Sequence, residues 1–94
     1  MLEKHIEKAV SEYAKSQGVL SYKFTSPARA AVPDRLFINT NGKVWFCEFK
    51  RLGQKPTPAQ KREHDRLENA NVVVFVIDDI IAGKGMIDLM KGAS

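Results

Sequence analysis

The chain lacks the sequence features of membrane-spanning, secreted and disulfide-bonded proteins. No apolar run approaches the roughly 20 residues that a helix needs to span a bilayer, and the N-terminus is charged from Glu3 onward, unlike a secretory signal. Its single cysteine, Cys47, cannot form an internal disulfide and is compatible with a reducing compartment. There is also no internal repeat and no low-complexity tract. These absences predict a cytoplasmic protein that has no membrane partner.

The length and charge of the chain narrow its class further. Its 94 residues are too few for two cores, so we expect a single domain over residues 1–94. The net charge of +4 favours an anionic partner, most often nucleic acid. Between Lys50 and Arg66, six basic residues stand against two acidic ones, so this segment carries the whole excess. A solvated basic helix would explain that charge equally well.

Hydrophobic periodicity predicts an α/β arrangement. Apolar residues at helical spacing predict a helix over residues 2–17, which Gln17-Gly18 ends. A second helix begins at Thr57-Pro58-Ala59-Gln60, whose first and last residues form the pattern of a capping box, and it runs to about Ala70. Strand-like patterns cover residues 19–24, 36–38 and 43–49.

The C-terminal part of the chain has one strong element and one weak one. Residues 72–77 form an unbroken apolar run, which predicts a fully buried strand, parallel to a neighbour across the second helix. Residues 80–90 predict a weaker helix that Gly83 and Gly85 interrupt, and residues 91–94 should fray. The clear elements therefore follow the order αβββαβ.

The two central strands are apolar on both faces. A sheet that is buried on both sides needs helices over each of them, so a mixed central sheet flanked by helices fits better than an open meander. One face carries Leu36, Ile38, Val44 and Phe46, and the other carries Phe37, Trp45 and Phe49.

Three charged residues next to these strands form a candidate site. Residues two apart in a strand share a face, so Glu48 and Lys50 point the same way. With Asp34 delivered from the neighbouring strand, the group could hold a divalent metal beside a cation, which is chemistry suited to cutting a phosphodiester. Alternatively, Asp34 only begins a strand and Glu48 pairs with Lys50. However, these two residues continue the apolar face of Val44 and Phe46, where unpaired charge is costly.

The turn between the two strands decides whether Asp34 meets Glu48. A two-residue turn at Asn41-Gly42 would direct the two carboxylates to opposite faces, because cross-strand partners share a face. A three-residue loop, Thr40-Asn41-Gly42 with its glycine left-handed, would set Asp34 directly opposite Glu48. A metal site therefore predicts the three-residue loop, or a bulge elsewhere in the ladder.

The element order and four short motifs resemble the PD-(D/E)xK nuclease superfamily. More narrowly, the sequence is similar to the small stand-alone VRR-NUC domains of phages and bacteria, and the resemblance covers nearly the whole chain. It implies an α/β fold with a restriction-endonuclease-like core, in a bacterial or phage-infected host cell. The motifs are Glu3 with Ile6, Val32-Pro33-Asp34-Arg35, Glu48-Phe49-Lys50-Arg51 and Thr57-Pro58-Ala59-Gln60.

The resemblance also implies a metal centre. Its ligands fall on Asp34, Glu48 and the main-chain carbonyl of Phe49, and such oxygen ligands suit Mg²⁺ or Mn²⁺ rather than zinc. The catalytic lysine of the family falls on Lys50. That side chain would orient the attacking water or stabilise the phosphate, and would accept a proton only when the metal offsets the nearby carboxylates.

Two further family positions have both an active-site explanation and a purely structural one. Glu3 would ligate a second metal or hold a metal-bound water, but the helix dipole alone favours an acid in a first turn. Gln60 would orient Lys50 or contact DNA, although its capping role needs no active site. The chain departs from the family at Ala31, where glycine is common, and at His64, where a related pattern has an aromatic residue. We interpret His64 as an ordinary helix residue.

The implied function is a metal-dependent endonuclease, a hydrolase that cuts branched DNA. The resemblance implies resolution of four-way (Holliday) junctions by a homodimer. The alternatives are a nuclease directed at flaps or ends, and a nucleic-acid-binding module without catalysis. The basic residues expected to contact DNA are Arg29, Arg35, Arg51, Lys55, Lys61 and Arg62. For Arg29, a position in a solvated loop is an alternative explanation.

Two apolar surfaces are candidates for the dimer contact. The first is the hairpin face with Phe37 and Trp45. The second is the C-terminal segment with Met86, Ile87, Leu89 and Met90.

Overall fold

A four-stranded mixed sheet organises the fold, as the sequence predicts. The computed structural model describes all residues from Met1 to Ser94. In chain order, the elements are α1 (Glu3–Ser16), β1 (Leu20–Lys23), β2 (Arg35–Ile38), β3 (Val44–Phe49), α2 (Pro58–Asn69), β4 (Val73–Ile77) and α3 (Ile80–Lys91). Strands lie in the order β1-β2-β3-β4, with β1, β2 and β3 antiparallel and β4 parallel to β3. None of the helices is long and apolar enough to cross a membrane.

The hydrophobic core lies between one face of the sheet and the helices α1 and α3. Each large apolar side chain buried there contributes about 1.5–3 kcal/mol by leaving water. Helix α1 contributes apolar residues at the predicted spacing, and α3 contributes a second set of apolar residues. The fully buried core includes Ile6, Val10 and Ala14 of α1, Ile87 and Met90 of α3, and Phe37, Cys47 and Phe49 of the sheet.

The opposite face of the sheet is partly open, so the prediction of burial on both faces is wrong. Helix α2 packs against β4 and leaves the side of the sheet formed by β1 and β2 uncovered. Leu20 and Tyr22 are consequently 54% and 53% exposed, and Val44, on the hairpin face that the sequence predicts to be buried, is 40% exposed. The prediction of full burial for the last strand is also wrong. Because β4 lies at the sheet edge with one neighbouring strand, Val73 and Val76 remain 37% and 42% exposed.

Helix α3 is continuous, which corrects the prediction that two glycines interrupt it. Gly83 is a packing residue at the crossing with α1: a Cβ atom there would clash with Val10 Cγ2. Gly85 has open space around it. The helix therefore tolerates one glycine and requires the other.

The two glycines should respond in opposite directions to the same substitution. Gly83→Ala is expected to lower the free energy of unfolding by about 1–2 kcal/mol, because overpacking outweighs the better helix propensity of alanine. Gly85→Ala is expected to raise it by up to about 1 kcal/mol. Urea denaturation of both variants measures the difference. Equal stabilisation by the two changes would contradict the close packing at Gly83.

The hairpin between β2 and β3 has the three-residue loop that the candidate site requires. Asn39 N–H donates to Lys43 O at 3.1 Å, and Gly42 N–H donates to Asn39 O at 3.0 Å. Gly42 has φ 78°, the left-handed conformation that glycine adopts without strain. Arg35 is paired with Cys47. Continuing this register by one residue places Asp34 opposite Glu48.

The side chain of Asn39 ties this turn to the end of the chain. Its Oδ1 accepts hydrogen bonds from the backbone N–H groups of Asn41 and Lys43, both at 2.9 Å. Its Nδ2 donates to Met90 O at 2.7 Å and to Ala93 O at 2.8 Å. The turn therefore holds the backbone of Ala93, which lies within the segment that the sequence predicts to fray.

Candidate active site

The antiparallel register brings Asp34, Glu48 and Lys50 together at the ends of β2 and β3. Asp34 Oδ2 accepts a hydrogen bond from the backbone N–H of Phe49 at 2.8 Å, which orients this carboxylate across the strands. Lys50 Nζ lies 3.9 Å from Glu48 Oε2. The backbone N–H of Lys50 donates to Ile77 O of β4 at 2.9 Å, so the parallel pairing fixes this position. Phe49 lies between the two charged residues, with its ring in the core.

Glu48 is the most perturbed acid of the site. Its side chain is almost completely buried, and its Oε1 has no hydrogen-bond partner. Burial first, and then the charge and hydrogen bonding of Asp34, raise the pKa of Glu48 to about 8, although Lys50 opposes the rise. Without a bound cation, the site therefore favours a protonated Glu48 at neutral pH.

Helix α2 presents Gln60 to the same carboxylate while also using it as a cap. Gln60 Oε1 accepts from Thr57 N–H at 3.0 Å, and Thr57 Oγ1 accepts from Gln60 N–H at 3.2 Å, which completes the predicted capping box. Gln60 Nε2 donates to Glu48 Oε2 at 3.3 Å. The two explanations weighed from the sequence are thus compatible, and the partner of Gln60 in the site is Glu48 rather than Lys50.

His64 also belongs to the site, which the sequence interpretation missed. Its Nε2 lies 3.7 Å from Glu48 Oε1, and both atoms are buried without a hydrogen-bond partner. Burial lowers the pKa of His64, so its ring is neutral at pH 7. The available signal was the four-residue spacing from Gln60, which puts both side chains on one face of a helix.

Glu3 acts on the site through its charge and makes no direct contact with it. It stands exposed in the first turn of α1, where the helix dipole favours an acid. Its carboxylate contributes to the raised pKa of Glu48. Across the whole chain, no three or more His, Cys, Asp and Glu side chains converge closely enough to hold a metal by themselves.

The predicted DNA-contacting residues fall into two groups: two are held in ion pairs within the protein, and four are exposed. Arg29 donates from Nε to Glu63 Oε1 at 2.8 Å, and Arg35 donates from Nε to Glu7 Oε2 at 2.6 Å. Arg35 lies on the sheet face covered by α1, away from the Glu48 side chain. The other four residues are exposed on the loop after β3 or on the first turns of α2, namely Arg51, Lys55, Lys61 and Arg62.

The sheet order and the positions of the charged residues define an α/β domain with a restriction-endonuclease-like fold. A solved structure of a VRR-NUC domain superposes with a TM-score of 0.84 and 32% sequence identity, over 92% of this chain and 94% of that one. The "Putative nuclease p44" of Acyrthosiphon pisum secondary endosymbiont phage 1 is 51% identical over 77 residues, which cover 82% of this chain and 78% of that protein. No protein-family model matches the chain. These two relatives show that the chain belongs to the VRR-NUC family of nucleases.

Proposed function

We propose that this protein is a Mg²⁺- or Mn²⁺-dependent DNA endonuclease that cuts branched DNA, with four-way junctions as its substrate. The observation that carries the proposal is the register of β2 and β3, which brings Asp34, Glu48 and Lys50 to one point. A solvent-shielded Glu48 oxygen without a partner supports a cation as the missing neighbour. The two nuclease relatives support the reaction class.

The donor set fits a hard divalent ion better than zinc. Asp34 and Glu48 supply two carboxylates, and the Phe49 carbonyl lies in the backbone between Glu48 and Lys50. Mg²⁺ commonly takes one or two carboxylates and completes its octahedron with water and phosphate oxygens, so a cluster of three side chains is unnecessary. Bound there, the metal would supply charge stabilisation at the phosphoryl oxygens and a lowered pKa for water.

The protein's own residues have separable roles in this proposal. Lys50, shielded from solvent beside Glu48, supplies a positive charge to the phosphoryl group as its negative charge grows. Gln60 holds Glu48 Oε2 through a hydrogen bond and keeps the carboxylate in one orientation. Asp34 is oriented in turn by Phe49 N–H. The exposed Arg51 follows Lys50 directly and Lys55 lies in the same loop, and both would contact phosphates next to the cut.

We further propose that a homodimer presents two such sites, and that it forms through the open face of the sheet. The surfaces suggested by the sequence do not fit a dimer contact: Phe37, Trp45, Met86, Ile87 and Met90 are all buried in the core, and only Leu89 is exposed. The face on β1, β2 and β3 that α2 leaves uncovered is apolar and accessible. It consists of Leu20, Tyr22, Leu36, Ile38 and Val44.

The deciding experiment compares the wild type with Lys50→Ala on a four-way junction, a flap and a linear duplex in Mg²⁺. We expect the wild type to make paired nicks on the junction. Lys50→Ala should cut it at least about 100-fold more slowly. Lys43→Ala, which removes an exposed lysine at the hairpin turn, is the matched control and should cut normally. Sedimentation of the wild type should give twice the monomer mass.

Each other outcome decides against part of the proposal. Cleavage of flaps alone would favour the flap- or end-directed nuclease. Binding without any metal-dependent cleavage would identify a non-catalytic nucleic-acid-binding module. A monomer that still nicks junctions would exclude the dimer.

A further inference from the structure

A groove between α1 and the edge strand β1 lies outside the candidate active site. It encloses about 570 Å³. Lys4, Lys8, Lys15, Lys23 and Arg35 line it together with two carboxylates, so its net formal charge is +3. Of the basic residues in this groove, the sequence predicts a DNA contact only for Arg35, because the excess basic charge of the chain lies within residues 50–66.

The lysines of α1 form a single stripe along the groove. Lys4, Lys8, Ser11 and Lys15 follow the spacing i, i+4, i+7 and i+11, which is one face of a helix. Like charges four residues apart, as in Lys4 and Lys8, destabilise an isolated helix, so helix stability does not explain the stripe. Ser11 has a small side chain, which leaves space between Lys8 and Lys15.

The acidic residues of the groove cancel only part of its positive charge. Burial alone would raise the pKa of Glu7, but hydrogen bonds from Lys23 and Arg35, at 2.8 and 2.6 Å, lower it instead. Glu7 therefore stays ionised and offsets part of the charge of Lys23 and Arg35, so the excess positive charge lies mainly on the lysines of α1. Glu12 lies 3.9 Å from Lys8, with both side chains mostly exposed, so this ion pair is weak.

The groove is also aligned with the candidate active site. Helix α1 begins at Glu3, whose negative charge contributes to the raised pKa of Glu48. Strand β1 ends at Lys23, which pairs with Arg35, the residue after Asp34. The Lys4 and Lys23 end therefore lies toward the site, and Lys15 lies at the far end. Eleven residues of helix separate Lys4 from Lys15, which is about 16 Å, or on the order of five base pairs of duplex.

We infer that this groove binds the phosphate backbone of one duplex arm of the substrate as that arm leaves the active site. The inference rests on the proposed function, because it takes DNA as the substrate. It adds a second contact surface, on the side of the sheet opposite the open apolar face.

The test measures DNA binding in a Lys50→Ala background, where the substrate stays uncut. The groove variant is Lys8→Gln with Lys15→Gln, and the matched control is Lys43→Gln with Lys84→Gln, which removes the same charge elsewhere. Junctions with arms of 5 and 15 base pairs are titrated by fluorescence anisotropy at several salt concentrations. Circular dichroism checks that both double variants are folded.

We expect the groove variant to bind the long-armed junction about tenfold more weakly at low salt. The slope of log K against log salt should fall by about 2, since each lost phosphate contact is worth about 0.9. Short arms reach only the near part of the groove and should therefore lose less affinity than long arms. The control variant should match its parent on both substrates.

Equal salt slopes for the groove and control variants would overturn the inference. Cleavage by the wild type is measured separately. If the wild type cuts DNA and the slopes are equal, only the groove assignment fails. If no DNA is cut but the groove variant still loses affinity, the nuclease proposal fails and the groove assignment stands.

Discussion

A Glu48→Gln variant is expected to lose metal-dependent DNA cleavage by about 10³-fold while remaining folded. The amide keeps the shape of the side chain and its oxygen can still accept the hydrogen bond from Gln60, but it brings no negative charge to a divalent cation. Metal stabilisation of a transition state is worth several kcal/mol, and about 4 kcal/mol corresponds to a factor of about 10³ in rate. Single-turnover cleavage of a junction in Mg²⁺ measures the loss.

The same variant should be no less stable than the wild type when metal is absent. The pKa of Glu48 in the fold is raised from its ordinary value of 4.5 to about 8, so folding favours the protonated acid. Its contribution to stability is therefore complete below about pH 4.5 and is lost as the pH rises through about 8. Glutamine has no such titration. Between pH 5 and 9 the wild type should lose more than about 1 kcal/mol of unfolding free energy relative to the variant.

Urea denaturation in EDTA across this pH range tests the second half of the prediction. Glu68→Gln makes the same chemical change on an exposed part of α2 and serves as the control, with cleavage and pH dependence close to the wild type. Parallel stability curves for wild type and Glu48→Gln would show that Glu48 is ionised in the metal-free fold. Full cleavage by the variant would exclude Glu48 as a metal ligand.

The local sequence determined much of what surrounds this site. Two-residue alternation was enough to put Glu48 and Lys50 on one face, and the capping box located the start of α2 at Thr57. The turn was the undetermined step, because Asn41-Gly42 also suits a two-residue hairpin. Asn39 holds the three-residue turn through hydrogen bonds within the turn and through contacts with the end of α3, and the latter join residues about fifty positions apart.

The remaining errors arise from packing that periodicity does not encode. Gly83 looks like a helix breaker in the sequence, yet it allows α3 to approach Val10. The apolar run of β4 gave no sign that this strand lies at an edge. His64 differs from any other helix histidine only because the position of α2 brings its ring to Glu48. In each case the prediction failed because the local pattern carries no information about the neighbour across space.

An Asn39→Ala variant is expected to lose about 3 kcal/mol of unfolding free energy, the largest stability effect that we predict. The side chain is 5% exposed and makes two hydrogen bonds as acceptor within the turn and two as donor to the end of α3. Each such bond is worth about 1 kcal/mol, and a buried group left without its partner costs about 1–3 kcal/mol. Urea denaturation measures the loss, and Thr40→Ala, at an exposed position in the same turn, should change stability by less than about 0.5 kcal/mol.

The effect of Asn39→Ala on cleavage tests whether the turn controls the site. The loop over residues 40–42 sets the register that aligns Asp34 with Glu48, so a loosened turn should misalign the two carboxylates. Under conditions where the variant is still folded, we expect its cleavage rate to fall about tenfold, because small displacements of catalytic groups are costly. Lost stability with an unchanged rate would mean instead that the ladder and the Phe49 N–H contact hold Asp34 in place without the turn.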